Sequence, residues 1–588
     1  MVEKTIRRPL VLLLSLVFLV FLILGIFSFT PKEEKIEIVS LKNKDFHFVP
    51  FEKDDVFYYV LPSGMDFDDL AFSHGGDLLF EKRVINDEPL SFMETDKVYE
   101  LNFNGKSYKA ILMTDHDVPS VYIDLKKKDL EYLNADKTHR LDALTYLIDT
   151  DGNVINNAIK GTIKGRGNNS WNLNKKAYNL NFEEDVDVLG MGKADKWALV
   201  SNAMDPTLLY NKTVYELAKE VGLEWTPESR YVNVFLDGKY NGLYLICEKV
   251  EIDKERLNVG KNNILLKREL PERLEIVDNG FLTKQNNVIE ITSPSKISSF
   301  YKEEVVSKVQ QMEDAIFDVN SNNWKDVIDI DSWAKCYLID EIFDNFDSGI
   351  ASAYFYTKDD GLFYRGPIWD YDAIMFDTPY SIIANTHQRQ PYSVNDYYYY
   401  LYSRPEFKER ILELFAVQFK PLVREFIENK IDLLFSQIEN ARKLDASRWS
   451  YDQGNGAVEK FKEYLDKKIA FLDEYWNNED KYHKILIQKE TFYLTYMVED
   501  GKTIKDAFDI DMSLVEENDY YYAESGLPFG MDDKIENDVI LHYDREGQIL
   551  PEEGPPLSRF GILNVAFLLI FILMFVIIFI RNVWRLRG

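Results

Sequence analysis

The stretch that most constrains the fold runs from Asp331 to Met375: DSWAKCYLIDEIFDNFDSGIASAYFYTKDDGLFYRGPIWDYDAIM. Cys336, Ile339, Ile342, Phe343 and Phe346 recur at spacings of three and four, which predicts an amphipathic helix. It should run out near Asn345, Phe346 and Asp347, with Gly349 as punctuation. AYFYT then reads as a strand, Lys358 to Gly361 as a turn and LFYRGPIWD as a second strand. Asp347 and Asp370 would thus sit at the mouths of neighbouring elements, with Asp372 one pleat beyond. Carboxylates brought together repel unless a divalent cation or a proton lies between them. Any one of these aspartates alone reads as a turn residue or a cap. Taken together, Asn345, Asp347, Asp370 and Asp372, with Pro367 and Trp369 fixing the second loop, point to a magnesium-type site.

A chain of 588 residues is too long for one core, so two to four folded units are expected. Its 99 acidic and 69 basic residues leave a net charge of -30, which argues against a nucleic-acid partner. The same balance suits an anionic lipid surface poorly. Cys247 and Cys336 lie in apolar runs and read as buried thiols, with no disulfide framework and no cysteine metal motif. Seven histidines without HExxH spacing give zinc no support.

Leu10 to Phe29 contains no charge and is long enough to span a bilayer. It exceeds a usual signal-peptide core, so an uncleaved anchor is expected. Ile562 to Ile580 is a second such run, closed by Arg581, Arg585 and Arg587. Basic residues at both ends predict two spans with cytoplasmic termini and the large central region outside the cell membrane.

Between these runs, residues 31–45 read as a stalk and 46–117 as a small β-sandwich with spacer or adhesive character. A second unit, 118–476, opens with the strand VYIDL and a hairpin around DTDGN, and leads to IKGRGNNSW. There Lys164, Gly165, Arg166, Gly167 and Asn168 form a loop whose glycines would let the backbone approach a phosphate. Lys164, Arg166 and Lys176 would supply positive charge; a plain turn with a surface arginine is the commoner explanation of such a pattern. Asp205, as N-cap, and Pro206 should start a helix that carries Glu216 and stops at Gly222. YVNVFLDG and YNGLYLICEKVEI form a hairpin about Asp237-Gly238. Residues 404–476 read as helical and 484–548 as a small strand-rich module, joined to the second apolar run by a proline-rich linker, 549–561.

IKGRGNNSW, DPTLLYNKTVYELAKEVG, VFLDGKYNGLYLICE, IDEIFDNFD and GPIWDYD follow one another in the order found in CotH-type spore-coat kinases, a family of atypical, secretory-style protein kinases that this chain resembles over roughly 118–476. The resemblance carries much of the preference for a magnesium-type site. It implies an α+β fold with a two-lobed kinase-like domain, here flanked by small β modules and two transmembrane helices. It implies transfer of the ATP γ-phosphoryl group, with Mg²⁺ or Mn²⁺, to serine or threonine of a surface or secreted protein. Asp347 then resembles the aspartate that accepts the hydroxyl proton, and Asp370 the metal aspartate, assisted by Asp372. Gly165 to Asn168 resemble the phosphate loop, Lys176 the strand lysine and Glu216 its helix partner. Family members often carry asparagine five residues after the catalytic aspartate, where it can bind a second metal; this chain has Ser352, a shorter ligand. Two alternatives stay open: a degenerate kinase fold serving as a surface scaffold or adhesion protein, and a metal-dependent phosphohydrolase.

Overall fold

The computed structural model describes residues 39–542, apart from 86–87, 127–128, 157, 168, 350, 373, 375–378, 386–396, 450–454, 489–492, 508–519, 523–527 and 531. The chain divides into two compact units. The first comprises residues up to 260, the short segment Asp370–Asp372 and residues 425–462; the second comprises 261–369, 373–424 and 463 onward.

The first unit is built on a closed seven-stranded barrel. Its strands are β1 (Ser120–Leu125), β2 (Arg140–Ile148), β3 (Ile159–Arg166), β4 (Ala177–Asp187), β5 (Lys193–Val200), β6 (Ser229–Leu236) and β7 (Lys239–Glu248). The order around the barrel is β1-β2-β3-β4-β5-β7-β6, and a parallel pairing of β1 with β6, Ser120 opposite Asn233, closes it. Alternation along the strands fills the interior with Ile163, Tyr178, Leu180, Trp197, Leu199, Tyr244 and Ile246. Residues between them in sequence face outward.

Helix α1 (Tyr210–Glu220) also belongs to this unit. Asp205, expected as its N-cap, stands further back: its two oxygens accept from Thr207 N and Oγ1 and from Tyr210 N, at 2.6–2.7 Å. The turn it holds carries Leu208 at φ 64°. Gly222, at φ 72°, ends the helix as expected, with Leu223 N donating to the Ala218 carbonyl at 3.2 Å.

The N-terminal β layers are a three-stranded and a six-stranded sheet. Ser40–Lys42, within the segment read as a stalk, is the central strand of the smaller sheet. Far from being a separate bead, these layers share one core with the barrel: Phe46, Phe48 and Tyr59 pack in the same cluster as Tyr122, Ile148, Phe235 and Tyr240. At the β6–β7 turn, Val49 N donates to the Gly238 carbonyl at 2.9 Å. Gly238 is required there, because its φ is 79° and an added Cβ would lie 2.4 Å from the His47 carbonyl oxygen.

The second unit holds an antiparallel sheet in the order β9-β10-β8-β11-β12. Its strands are β8 (Leu265–Glu269), β9 (Gly280–Leu282), β10 (Val288–Ser293), β11 (Ala353–Thr357) and β12 (Phe363–Arg365). Helices α2 (Ser299–Phe317), α3 (Ile330–Ile342), α4 (Tyr397–Tyr402) and α5 (Pro405–Leu414) belong to it. Two π-helical turns, Phe415–Phe419 and Phe426–Lys430, interrupt the helical run that follows. Helices α6 (Glu439–Arg448) and α7 (Asn455–Asn477) complete the region read as helical. Strands between Tyr482 and His542 form a five-stranded sheet with its own core around Ile485, Ile487, Val498 and Leu541.

The fold-class expectation is corrected. The described residues form mixed α and β structure with a barrel, and none of their helices is long and apolar enough to cross a membrane. The physical reason is visible in the longest two: α2 and α7 carry lysines and glutamates along their length, so each has a polar face. The runs 10–29 and 562–580, expected to be the transmembrane helices, lie outside the described residues.

Candidate functional site

The outer face of the barrel in the first unit gathers cations. Register sets Lys164 of β3 opposite Asn179 of β4, Asn179 opposite Ala198 of β5, and Ala198 opposite Cys247 of β7. Lys164, Arg166, Lys196 and Cys247 therefore share the outward face, since their sequence neighbours Ile163, Trp197 and Ile246 fill the interior. Burial raises the Cys247 thiol to about 12, with the Arg166 charge opposing, so this is an inert thiol.

Packing alone asks for glycine in the first position of the glycine loop. At Gly165 an added Cβ would lie 2.4 Å from the Trp171 ring. Gly167, at φ 98°, turns the chain away from β3, and its carbonyl accepts from Lys137 Nζ at 3.1 Å. Lys176 serves the same loop: its Nζ donates to the Trp171 carbonyl at 2.6 Å and sits 4.8 Å from the Trp171 ring centroid. Asn168 lies outside the described residues. Glu216 pairs with Lys212 one turn earlier on α1, at 2.7 Å. The expected Lys176–Glu216 pair is thus replaced by two local contacts. The neighbour of Lys176, Lys175, is the buried one of the two, meeting Asp445 of α6 at 2.9 Å and the Leu243 carbonyl at 2.7 Å.

Asp370 belongs to this unit and is anchored to α1 on both sides. A hydrogen bond joins the Tyr215 hydroxyl to the Asp370 backbone, and Tyr371 N donates to Asn211 Oδ1 at 2.8 Å. The Asp370 charge and the Arg166 charge both act on Tyr215 and on Cys247, which sets these groups close together. Asp370 has φ 73°, a left-handed backbone that a non-glycine residue adopts at a cost, and such strain concentrates at functional positions. Asp372 is buried.

In the second unit Asp347 sits, half-buried, in a single 3-10 turn, Phe346–Gly349, that follows α3. The helix ends as its sequence predicts, and Asp344 leaves it at φ 48° with its carboxylate accepting from Ser381 Oγ at 3.0 Å. The turn is hydrogen-bonded throughout. Asn345 N donates to the Asp340 carbonyl at 2.8 Å, Ser348 Oγ to the Asn345 carbonyl at 2.9 Å, and Ala351 N to the Asp347 carbonyl at 2.7 Å.

Behind the turn lies a buried polar network. Asp340 accepts from the Tyr398 hydroxyl at 2.9 Å and lies 3.6 Å from Arg365, whose guanidinium also donates to the Tyr354 carbonyl at 3.0 Å. Glu341 meets Lys468 at 2.7 Å, and both are fully buried. Burial lifts the Glu341 carboxyl above its usual range while the Lys468 charge opposes. Ser352, half-buried at φ 54°, leads into β11.

Among the described residues no group of three or more His, Cys, Asp and Glu side chains could hold a metal ion. That donor set does not fit a zinc or calcium cage. Magnesium asks for less, taking one or two carboxylates and filling its remaining positions with phosphate oxygens and water. Asn345 Oδ1 is buried without a donor among the described residues.

Lys175, Asn211, Tyr215 and Asp340 were not singled out in the sequence. Strand alternation could have separated Lys175 from Lys176, but only if the register of β4 were known. The comparison with curated proteins finds no match. The model of the CotH kinase protein family matches residues 163–482, more than half of the chain, and the chain therefore belongs to the CotH kinase family.

Proposed function

We propose that the protein is an ATP-dependent protein kinase that phosphorylates serine or threonine of a protein substrate. One observation carries most of this reading: Asp370 is fixed in a strained backbone conformation against α1, beside Arg166 and the cationic outer face of the barrel. An aspartate held so firmly next to positive charge suits a group that must meet a metal–triphosphate at one fixed place.

Asp370, with Asp372 two residues on, would hold Mg²⁺ or Mn²⁺. Bound there, the cation would neutralise charge on the β- and γ-phosphates. Arg166 and Lys164 add positive charge from the barrel face. Asp347 would accept the proton of the substrate hydroxyl, and the hydrogen-bonded turn around it keeps its position without rearrangement.

The full-length protein incubated with labelled ATP and Mg²⁺ or Mn²⁺ tests this. Labelled protein that disappears in both Asp347→Ala and Asp370→Ala is the expected result. Release of free phosphate without protein labelling would instead indicate a hydrolase. Ser352, standing where family members often carry asparagine, favours a second reading, a kinase fold retained as a scaffold. Its signature would be no nucleotide binding at all.

A further inference from the structure

Asn211, the second residue of α1, is fully buried. Its Oδ1 accepts from Tyr371 N at 2.8 Å, and its Nδ2 donates to Asn202 Oδ1 at 3.0 Å. Asn202, equally buried, donates in turn through Nδ2 to the Leu208 carbonyl at 3.3 Å. This path runs from a backbone N–H at one end to a backbone carbonyl at the other. An N–H can only donate and a carbonyl can only accept, so both side-chain amides take one consistent orientation. The Leu208 carbonyl is fixed from a second side, accepting from the Tyr231 hydroxyl at 2.7 Å. Asp205 N donates to the Asn202 carbonyl at 3.1 Å, which ties Asn202 to the turn before α1.

Three residues on the path have left-handed backbones: Asn202 at φ 48°, Leu208 at φ 64° and Asp370 at φ 73°. Asparagine tolerates this region, whereas a leucine there is an outlier. Such conformations persist only where their surroundings over-determine them. The Tyr371 N–H belongs to the peptide that follows Asp370, so the Asn211 bond acts on the Asp370 backbone itself, across 160 positions of sequence. We propose that Asn211, oriented by Asn202, is a positioning residue that holds the Asp370 backbone where the carboxylate meets the cation of MgATP. The assignment rests on the kinase reading above and adds to it the residues that set the geometry of the metal aspartate.

The test compares the full chain with its Asn211→Leu, Asn202→Gly and Gly238→Ala variants. Hydrogen exchange of the Tyr371 amide is followed without metal; binding of ATP and of adenosine is measured across a Mg²⁺ titration, with a thermal melt of each variant. Asn211→Leu removes both side-chain bonds at nearly constant volume. Asn202→Gly keeps the left-handed backbone and removes the amide behind Asn211. Gly238→Ala strains the β6–β7 turn of the same unit and leaves the path intact. Asn211→Leu should speed exchange at Tyr371 about ten-fold and raise the Mg²⁺ needed for half-maximal ATP binding about five-fold, with adenosine affinity within about two-fold. Asn202→Gly should shift exchange and Mg²⁺ requirement the same way by less, and Gly238→Ala should move neither beyond about two-fold. Where Asn211→Leu does not fold, Asn202→Gly decides alone. An unchanged Mg²⁺ requirement in the folded variants, or an equal shift in Gly238→Ala, overturns the assignment while the kinase reading survives. A wild-type chain that binds no MgATP, or binds ATP as well without a divalent cation, overturns both.

Discussion

The two aspartates given roles in the proposed chemistry are held by different means. Asp370, in the first unit, rests on a strained backbone pinned to one helix by Tyr215 and Asn211, beside a face of like charges. Asp347, in the second, sits in a turn satisfied by ordinary hydrogen bonds and backed by buried pairs, Asp340 with Tyr398 and Arg365, and Glu341 with Lys468. The barrel side sets Asp370 close to the Arg166 charge. The helical side supplies position, with backbone hydrogen bonds around Asp347. Phosphoryl transfer requires both, because it depends on charge neutralisation and on alignment.

The sharpest way to break this comparison is to remove each carboxylate. Asp370→Ala and Asp347→Ala should each lower phosphoryl transfer by about 10²-fold or more. Asp370→Ala should also raise the concentration of Mg²⁺ needed for half-maximal nucleotide binding, whereas Asp347→Ala should leave it unchanged. Equal effects of both on the metal dependence would erase the distinction.

Next in size are the buried pairs. Lys468→Met, which strands Glu341 without a cation, should destabilise the second unit by about 3–5 kcal/mol in denaturant unfolding. Lys175→Met should cost the first unit a similar amount by stranding Asp445. Replacing both members of a pair by apolar residues should cost much less. A small effect of either single variant would show that the pair is not the support its burial suggests.

Gly238→Ala tests whether the N-terminal sheets are fastened to the barrel. Positive φ and contact with the His47 carbonyl should together cost about 1–3 kcal/mol and expose the strand pair near Val49 to hydrogen exchange.

The smallest effect is a pH slope. Burial raises the Glu248 carboxyl from 4.5 to about 7. Because the folded state holds this proton more tightly than the unfolded chain, stability is favoured below pH 4.5 and falls as pH rises towards 7. Glu248→Gln should lack that decline, so wild type and variant melting curves should diverge between pH 5 and 7 by no more than roughly 3 kcal/mol. Parallel curves would show that Glu248 titrates normally.

Much of the local structure around the candidate site was legible because its signals are local. The helix before Asp347, the strand AYFYT and the tight turn at Asp237-Gly238 all follow from apolar spacing and turn chemistry within a few residues. The second strand was read too long: only Phe363–Arg365 pairs, and the chain beyond Gly366 leaves the sheet. Lys176 was preferred to Lys175 because adjacent lysines look alike until the strand's facing is known.

The sequence by itself determined where the two aspartates stand along the chain, the helix and first strand beside Asp347, and the family. Spacing and turn preference act between neighbours, and five ordered motifs are enough to mark the family. Only the tertiary structure decided that seven strands close into a barrel, through the β1–β6 pairing more than a hundred residues apart in sequence. It also decided which cations share one face and which acids answer them. Those choices depend on register and burial between distant segments, where Coulomb energy varies with solvent exposure, and the order of residues along a chain does not encode that exposure directly.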